Sequence, residues 1–430
     1  MRCSLPCASM PSVQRFMCDA PKRLLHYVSL DGAGGVELQF VDFVARAEAL
    51  AGVHSDVVAC GQRIHPLVRQ RLRDTTRPRR EKYVGAIKLP KWPTPLRASR
   101  QRWAMRQTQP QAVLIWNRLR DSEATLAAAG PERCIYWERG AAWFAGETAA
   151  KQRFLSGVQA VLCNSQAARR MLELRWQYQG QICVVPNALR SALVPLAPQA
   201  RSGCADAPVW RLGVAARLES IKGVAIVLHA LASMQNHEQA VELLIAGDGP
   251  QKDALRALAE QLGVSTRVSF LGLVSDMAAF YQRIDLLVHP ALREPFGQII
   301  IEAAAHGVPS VVAGVDGLME VVHHGETGDV ILPDDDLAAY AALGADATGL
   351  PPYVYHPDED RIAAPRIVRP DRLAAAISNL LSDENRYEQY SRAGIERVAA
   401  AFDFDTHVQR VLTATGRFVN GQSLAWEVAR

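Results

Sequence analysis

The chain has 430 residues, 49% of them apolar and 21% charged. This balance excludes a disordered or fibrous protein and leaves room for two or three domains. The net charge of +4 conceals a division: residues 1–200 hold 29 Lys and Arg against 14 Asp and Glu, whereas residues 201–430 hold 19 against 30.

Residues 1–20 lack the continuous apolar core of a secretory signal and read as a disordered tail. No apolar run approaches the about 18 residues of a membrane span. The eight cysteines are scattered without a C-x-x-C pair. They read as reduced thiols in a cytosolic protein, with no metal site. Apolar runs at 24–28, 57–60, 112–116, 134–137, 160–163 and 182–185 alternate with helical stretches and predict strands buried on both faces. Residues 191–208, rich in Pro, Ala and Ser, read as a linker. A second series follows at 210–215, 242–246, 268–271, 285–289, 309–313 and 329–332. The pattern predicts an α/β protein of two doubly wound domains, 21–190 and 209–405, with ligands outside the carboxyl ends of the strands in a cleft between them. Residues 344–370 carry five prolines and read as a surface excursion. Helical patterns at 408–418 and 424–428 give 406–430 as terminal helices that could cross back to the first domain.

Four constellations could carry chemistry. Arg217 and Lys222 follow the strand at 210–215 and precede a helix that begins near Gly223. The helix dipole disfavours cations there, and a phosphate would reverse that cost. In Glu294-Pro295-Phe296-Gly297-Gln298-Ile299-Ile300-Ile301-Glu302, a loop turns into a helix and Glu302 sits among isoleucines and alanines. A carboxylate in so apolar a helix needs cationic partners or ligand hydroxyls. Gly34 and Gly35 open the first helix, where backbone N–H groups can approach a phosphate, and Glu37 follows. Glycine, aspartate and proline at 247–250 read as a turn and helix start.

Residues 63–106 hold 14 basic side chains against Asp74 and Glu81, with Trp92 and Trp103 interleaved. Arg77, Arg79, Arg80, Lys88, Lys91, Arg100 and Arg102 stand out, and with Trp92 and Trp103 they suit an anionic membrane face or anionic acceptor. Nucleic acid is the rival polyanion and a solvated charged face the plain alternative.

In order and spacing, these pieces resemble glycosyltransferase family 4, the retaining nucleotide-sugar transferases of GT-B fold. The resemblance runs from Leu212 to Phe402 through Arg217, Lys222-Gly223, Gly247-Asp248-Gly249-Pro250, His289-Pro290, the Glu294 and Glu302 pair, and Gly325-Glu326-Thr327-Gly328. It is thinner before residue 200, resting on Gly34-Gly35-Val36-Glu37, Asn164-Ser165 and Pro186-Asn187. It implies two Rossmann-like domains facing across a cleft. It further implies that Arg217 and Lys222 hold the donor diphosphate and that Glu302 holds the ribose. Glu294, Phe296 and Gly297 would contact the donor sugar, Gly34 and Gly35 would line the phosphate, and Gly272 and Leu273 would meet the base. Glu37, Glu138 and Arg139 would lie on the sugar and acceptor side. Arg139 stands where many members carry a His before a glycine, and this departure implies an unusual or anionic sugar. Catalysis would fall to Arg217, Lys222 and Glu294, with no cofactor and no metal.

The partners expected are a nucleotide-sugar donor, a glycan or lipid-linked acceptor of lipopolysaccharide core or exopolysaccharide assembly, and the anionic inner face of the membrane. No nucleic acid is expected. The place would be cytoplasmic and peripheral. A sugar-nucleotide epimerase of the same architecture, a two-carboxylate hydrolase and a non-catalytic binding module are the alternatives. The hydrolase leaves Arg217 and Lys222 unexplained, and the epimerase leaves the basic segment without a use.

Overall fold

A computed structural model of the chain describes residues 20–424 apart from 33, 74, 85–86, 89–93, 147, 203–208 and 235–239. The expected tail at 1–19 and all but the first residue of the helix expected at 424–428 lie outside the described residues. The chain divides into two units, Met1–Pro186 with Phe404–Arg430, and Asn187–Asp403.

The first unit runs β1 (Arg23–Val28), α1 (Gly35–Ala51), β2 (His54–Ala59), α2 (Pro66–Leu72), β3 (Arg79–Arg80), β4 (Tyr83–Val84), β5 (Ile87–Lys88), α3 (Thr94–Thr108), β6 (Ala112–Trp116), α4 (Glu123–Ala129), β7 (Cys134–Glu138), α5 (Thr148–Gly157), β8 (Ala160–Cys163), α6 (Gln166–Leu174) and β9 (Gln181–Val184). Its sheet has the order β3-β2-β1-β6-β7-β8-β9, and every pair is parallel. Strands β6, β7 and β8 are buried at every position. Helices cover both faces of such a sheet, so its strands read as continuous apolar runs without alternation. Trp116 and Trp137, partners in the β6–β7 register, stack with ring centroids 4.2 Å apart. Phe40 and Phe43 of α1 meet Trp116 edge-on.

The second unit runs β10 (Val209–Ala215), α7 (Val224–Ser233), β11 (Ala240–Ala246), α8 (Lys252–Gln261), β12 (Val268–Gly272), α9 (Met277–Arg283), β13 (Leu286–His289), α10 (Gln298–Ala305), β14 (Ser310–Ala313), α11 (Leu318–Val321), β15 (Gly328–Ile331), α12 (Leu337–Ala342), β16 (Val354–His356), β17 (Arg361–Ala363), α13 (Pro370–Leu381) and α14 (Glu384–Ala401). Its six-stranded sheet, β12-β11-β10-β13-β14-β15, is again parallel. The last helix, α15 (Phe404–Val419), belongs to the first unit. There Asp405 pairs with Arg46 of α1, and the His407 ring meets the Pro186 carbonyl at 2.7 Å. Both sheets are parallel and Rossmann-like.

Two expectations need correction. The stretch from 191 is no free linker up to the point where description stops at 202. Arg201 donates to the carbonyls of His306 (3.1 Å), Ile284 (2.5 Å) and Tyr281 (2.8 Å), and its amide donates to Ser391 Oγ (2.8 Å). The composition was that of a linker, but one arginine satisfying three carbonyls outweighs it. Nor is 344–370 simply a surface excursion. Strands β16 and β17 form an antiparallel hairpin, and Val354, Tyr355 and His356 are buried. No helix among the described residues is long and apolar enough to cross a membrane.

Candidate functional site

The carboxyl end of the second sheet gathers the predicted residues. Strand β10 ends at Ala215 and β11 at Ala246, and the loops beyond them interlock. Ala216 N donates to Ala246 O at 3.0 Å, and Leu218 N donates to Asp248 O at 2.9 Å. Gly247 (φ +147) donates to Gly272 O at 2.7 Å, and a Cβ on it would lie 1.8 Å from Ala216 O. No other residue fits there, so the Gly-Asp-Gly-Pro turn serves to seat the Arg217 loop.

Lys222 and Glu294 are brought together. Strand β13 ends in His289, and the loop to α10 carries Glu294 back over it. Glu294 Oε2 accepts from Lys222 Nζ at 2.8 Å and from His289 Nε2 at 3.1 Å. Its other oxygen, Oε1, accepts no hydrogen bond among the described residues. Gly223 permits the approach: it caps α7 at φ +68, and a Cβ there would meet the Pro290 carbonyl at 2.2 Å. Burial pushes the Glu294 carboxyl up, but Lys222 and His289 outweigh it and hold the group well below the usual carboxylate range. Burial pushes the His289 ring down despite Glu294. At neutral pH Glu294 is therefore a carboxylate and His289 a neutral imidazole.

The loop carrying Glu294 is strapped from outside. Asp316 is buried at φ +47. Its Oδ2 accepts from Glu294 N at 3.0 Å and its Oδ1 from Tyr355 N at 2.8 Å. Asp316 N donates to Tyr355 O at 3.0 Å, and Gly317 N to Glu294 O at 3.1 Å. The proline-rich hairpin thus holds the residue that holds Glu294.

The remaining predicted residues are placed differently. Arg217 is not drawn into the cluster; its Nε meets Glu219 at 3.0 Å and its side chain is 71% exposed. Glu302 is 4% exposed and already has partners, Tyr281 Oη at 2.9 Å and Arg190 Nη2 at 3.4 Å. Gly297 caps α10 at φ +106, and Phe296 is buried edge-on against Phe402. Gly272 has φ +69 and Leu273 is 84% exposed. In the first unit Gly34 caps α1, and Glu37 Oε2 accepts from its amide at 3.1 Å. Gly35 is the first residue of that helix. Glu138 and Arg139 are buried at the end of β7.

In the basic stretch, Arg77 and Arg79 are exposed, and Arg79 lies 5.7 Å from the ring of Trp103, itself 54% exposed. Arg80 stacks on Tyr83 at 3.5 Å. Arg102, Trp103 and Arg106 share one solvent-facing side of α3, while Arg100 is half-buried. Lys91, Trp92 and the side chain of Lys88 lie outside the described residues. Sequence reasoning missed Asp316, Tyr281 and Arg190. His289 entered only as a piece of the resemblance, without a role, although a polar residue ending an otherwise apolar strand marks it.

Residues 210–348 match the family model for glycosyl transferases group 1. The chain is 39% identical over 119 residues to an uncharacterized glycosyltransferase of Methanocaldococcus jannaschii, covering 27% of this chain and 30% of that protein. It is 31% identical over 186 residues to the lipopolysaccharide core biosynthesis glycosyltransferase LpsE of Rhizobium meliloti, covering 43% and 52%. These alignments span about a third to a half of those relatives. Anabaena HepE, solved in complex with UDP and glucose, shares the fold with a TM-score of 0.66 at 20% identity over 91% of this chain and 98% of that one.

Proposed function

We propose that the protein is a retaining glycosyltransferase of family 4. It moves a sugar from a nucleotide diphosphate to a hydroxyl of a glycan or lipid-linked acceptor, without a metal. The carrying observation is the Lys222–Glu294–His289 cluster at a helix start beyond the carboxyl end of a parallel sheet. Lys222 and the N-terminus of α7 stabilise charge as the anomeric C–O bond to the diphosphate breaks. Arg217, exposed and paired among the described residues with Glu219, adds a second cation by swinging to the phosphate. Glu294 stays ionised and offers Oε1 to a sugar hydroxyl; it positions the sugar and is no covalent nucleophile. The acceptor oxygen bonds the anomeric carbon on the face the diphosphate leaves, and its proton passes to the departing phosphate. Glu302, ordered by Tyr281 and Arg190, takes the ribose hydroxyls.

The likeness to LpsE favours lipopolysaccharide core assembly, and HepE bound to UDP favours a uridine donor. The basic face around Arg79, Arg102 and Trp103 docks on anionic lipid at the inner membrane leaflet. The test is a thermal-shift panel of nucleotides and nucleotide sugars, followed by a mass-spectrometric donor screen on a core-oligosaccharide extract in EDTA. One nucleotide class should stabilise the protein, and one sugar should add to the extract. Indifference to every nucleotide would overturn the reading. Conversion of the donor without an acceptor would favour the epimerase.

A further inference from the structure

The first unit carries an uncompensated buried cation. Arg139 follows β7 and is 6% exposed. Its Nη2 donates to Gln39 Oε1 of α1. Its Nε and Nη1 are buried without an acceptor, and so is Nε1 of the adjacent Trp137. The guanidinium carbon lies 5.4 Å from the ring centre of Trp116 and 5.2 Å from that of Trp137. Aromatic faces attract a cation but leave its in-plane N–H groups unsatisfied.

The neighbouring carboxylates are committed elsewhere. Glu138 Oε1 accepts from Gly140 N at 2.5 Å and Ala142 N at 3.1 Å, and its Oε2 accepts from Tyr136 Oη at 2.6 Å. Glu37 is held by the Gly34 amide. Among the described residues no carboxylate lies within ion-pair distance of Arg139. Burial lowers its pKa to about 9, against a raising effect of Glu37, so it remains charged at neutral pH. Burial, aided by the Arg139 charge, lowers His407 to about 3, so that ring is neutral and offers no anion.

The backbone is held to present this cation. Asn117 sits at φ +48, and its Oδ1 accepts from Arg139 N at 3.1 Å and Ala141 N at 3.0 Å. Left-handed backbone at a non-glycine residue persists where the surroundings enforce it. Gln39 lies on α1 about one turn beyond its first residue, Gly35, so the unpaired guanidinium belongs to the corner of the unit where that helix begins. An unpaired buried charge costs several kcal/mol, and the missing partner is an anion.

We infer that Arg139 is a subsite for an acidic group, a carboxylate or a phosphate monoester, carried by one of the two substrates, which takes the place of the neutral Gln39 amide. The inference rests on the transferase reading only for the identity of the carrier.

Calorimetric titration tests it in two arms. UDP-glucuronate against UDP-glucose tests the donor as carrier. Glucuronate or glucose 6-phosphate against glucose, each with UDP present, tests the acceptor. In one arm the acidic ligand should bind about tenfold or more tightly than its neutral counterpart. Arg139→Met should bring that ratio to about one and leave UDP affinity unchanged. Arg139→Lys should keep part of it. If Arg139→Met does not fold, Gln39→Glu serves: a built-in carboxylate should raise the melting temperature and abolish the preference. A ratio near one in both arms, or a preference that survives in Arg139→Met or Gln39→Glu, overturns the subsite. Failure of UDP and every other nucleotide to bind strikes the transferase reading instead, and the free acids still probe Arg139.

Discussion

At the scale of the residue, Lys222 and Glu294 answer each other. Seventy-two positions apart, they meet only because β10 and β13 are neighbours in the sheet. Lys222→Ala should lower kcat by about 10²–10³-fold, the cost of losing one preorganised charge-stabilising donor. Steady-state turnover near the wild-type value would remove Lys222 from the mechanism. The same pair should mark the acid stability of the fold. The folded pKa of Glu294 is depressed, so its ionised form stabilises fully above the unfolded value of about 4.3 and progressively less as pH falls below it. Below that pH the wild type should lose stability faster than Glu294→Gln, by up to about 1.4 kcal/mol per pH unit. Denaturant midpoints at pH 5 and pH 3 measure the two slopes, and equal slopes would contradict the depressed pKa. That Lys222 and Glu302 stand in unusual places, and that Glu294 precedes a helix start, was legible from residue type and spacing. Their partners were not. Tyr281 and Arg190 reach Glu302 from elements 21 and 112 positions away, and nothing local to an apolar helix encodes that.

At the scale of the element, the strands were easy to read because a parallel sheet buried on both faces leaves uninterrupted apolar runs. The hairpin of β16 and β17 was not, because its prolines and short strands look like loop until the tertiary partner is known. That partner is Asp316. The Asp316 side chain bonds both the Glu294 amide and the Tyr355 amide. Asp316→Ala removes two charge-assisted bonds, leaves two N–H groups unsatisfied and strains a left-handed backbone. It should cost about 2–4 kcal/mol of stability and lower kcat, because Glu294 loses its tether. Asp316→Asn tolerates the backbone and keeps one acceptor, but it turns an NH2 donor toward the second N–H, so it should recover only part of the loss. A destabilised Asp316→Ala with unchanged kcat would confine the strap to folding.

At the scale of the whole molecule, the charge division becomes a face. Arg77, Arg79, Arg102, Trp103 and Arg106 are exposed on β3, α3 and the segment before β3. Vesicles with anionic lipid should retain the protein in sedimentation more than neutral vesicles, and added salt should release it. Replacing Arg79, Arg102 and Arg106 together by Gln should abolish the difference while nucleotide binding stays intact. Equal retention on both kinds of vesicle would leave this face as a solvated surface. The +15 excess before residue 200 was plain in the sequence. Which cations stack inward, as Arg80 does on Tyr83, and which face water depends on helix phase and sheet edge, and composition carries neither.

The return of α15 to the first unit has a consequence for synthesis. Residues 187–403 leave the ribosome as one continuous stretch and can fold as soon as they emerge. The first unit is begun earlier and completed later. Its α1 waits for Asp405, and the carbonyl of Pro186 waits for His407, until more than two hundred further residues have been made. Until then it is an open sheet with one face short of its cover, and a holdase chaperone that binds exposed apolar surface should find it there on the nascent chain.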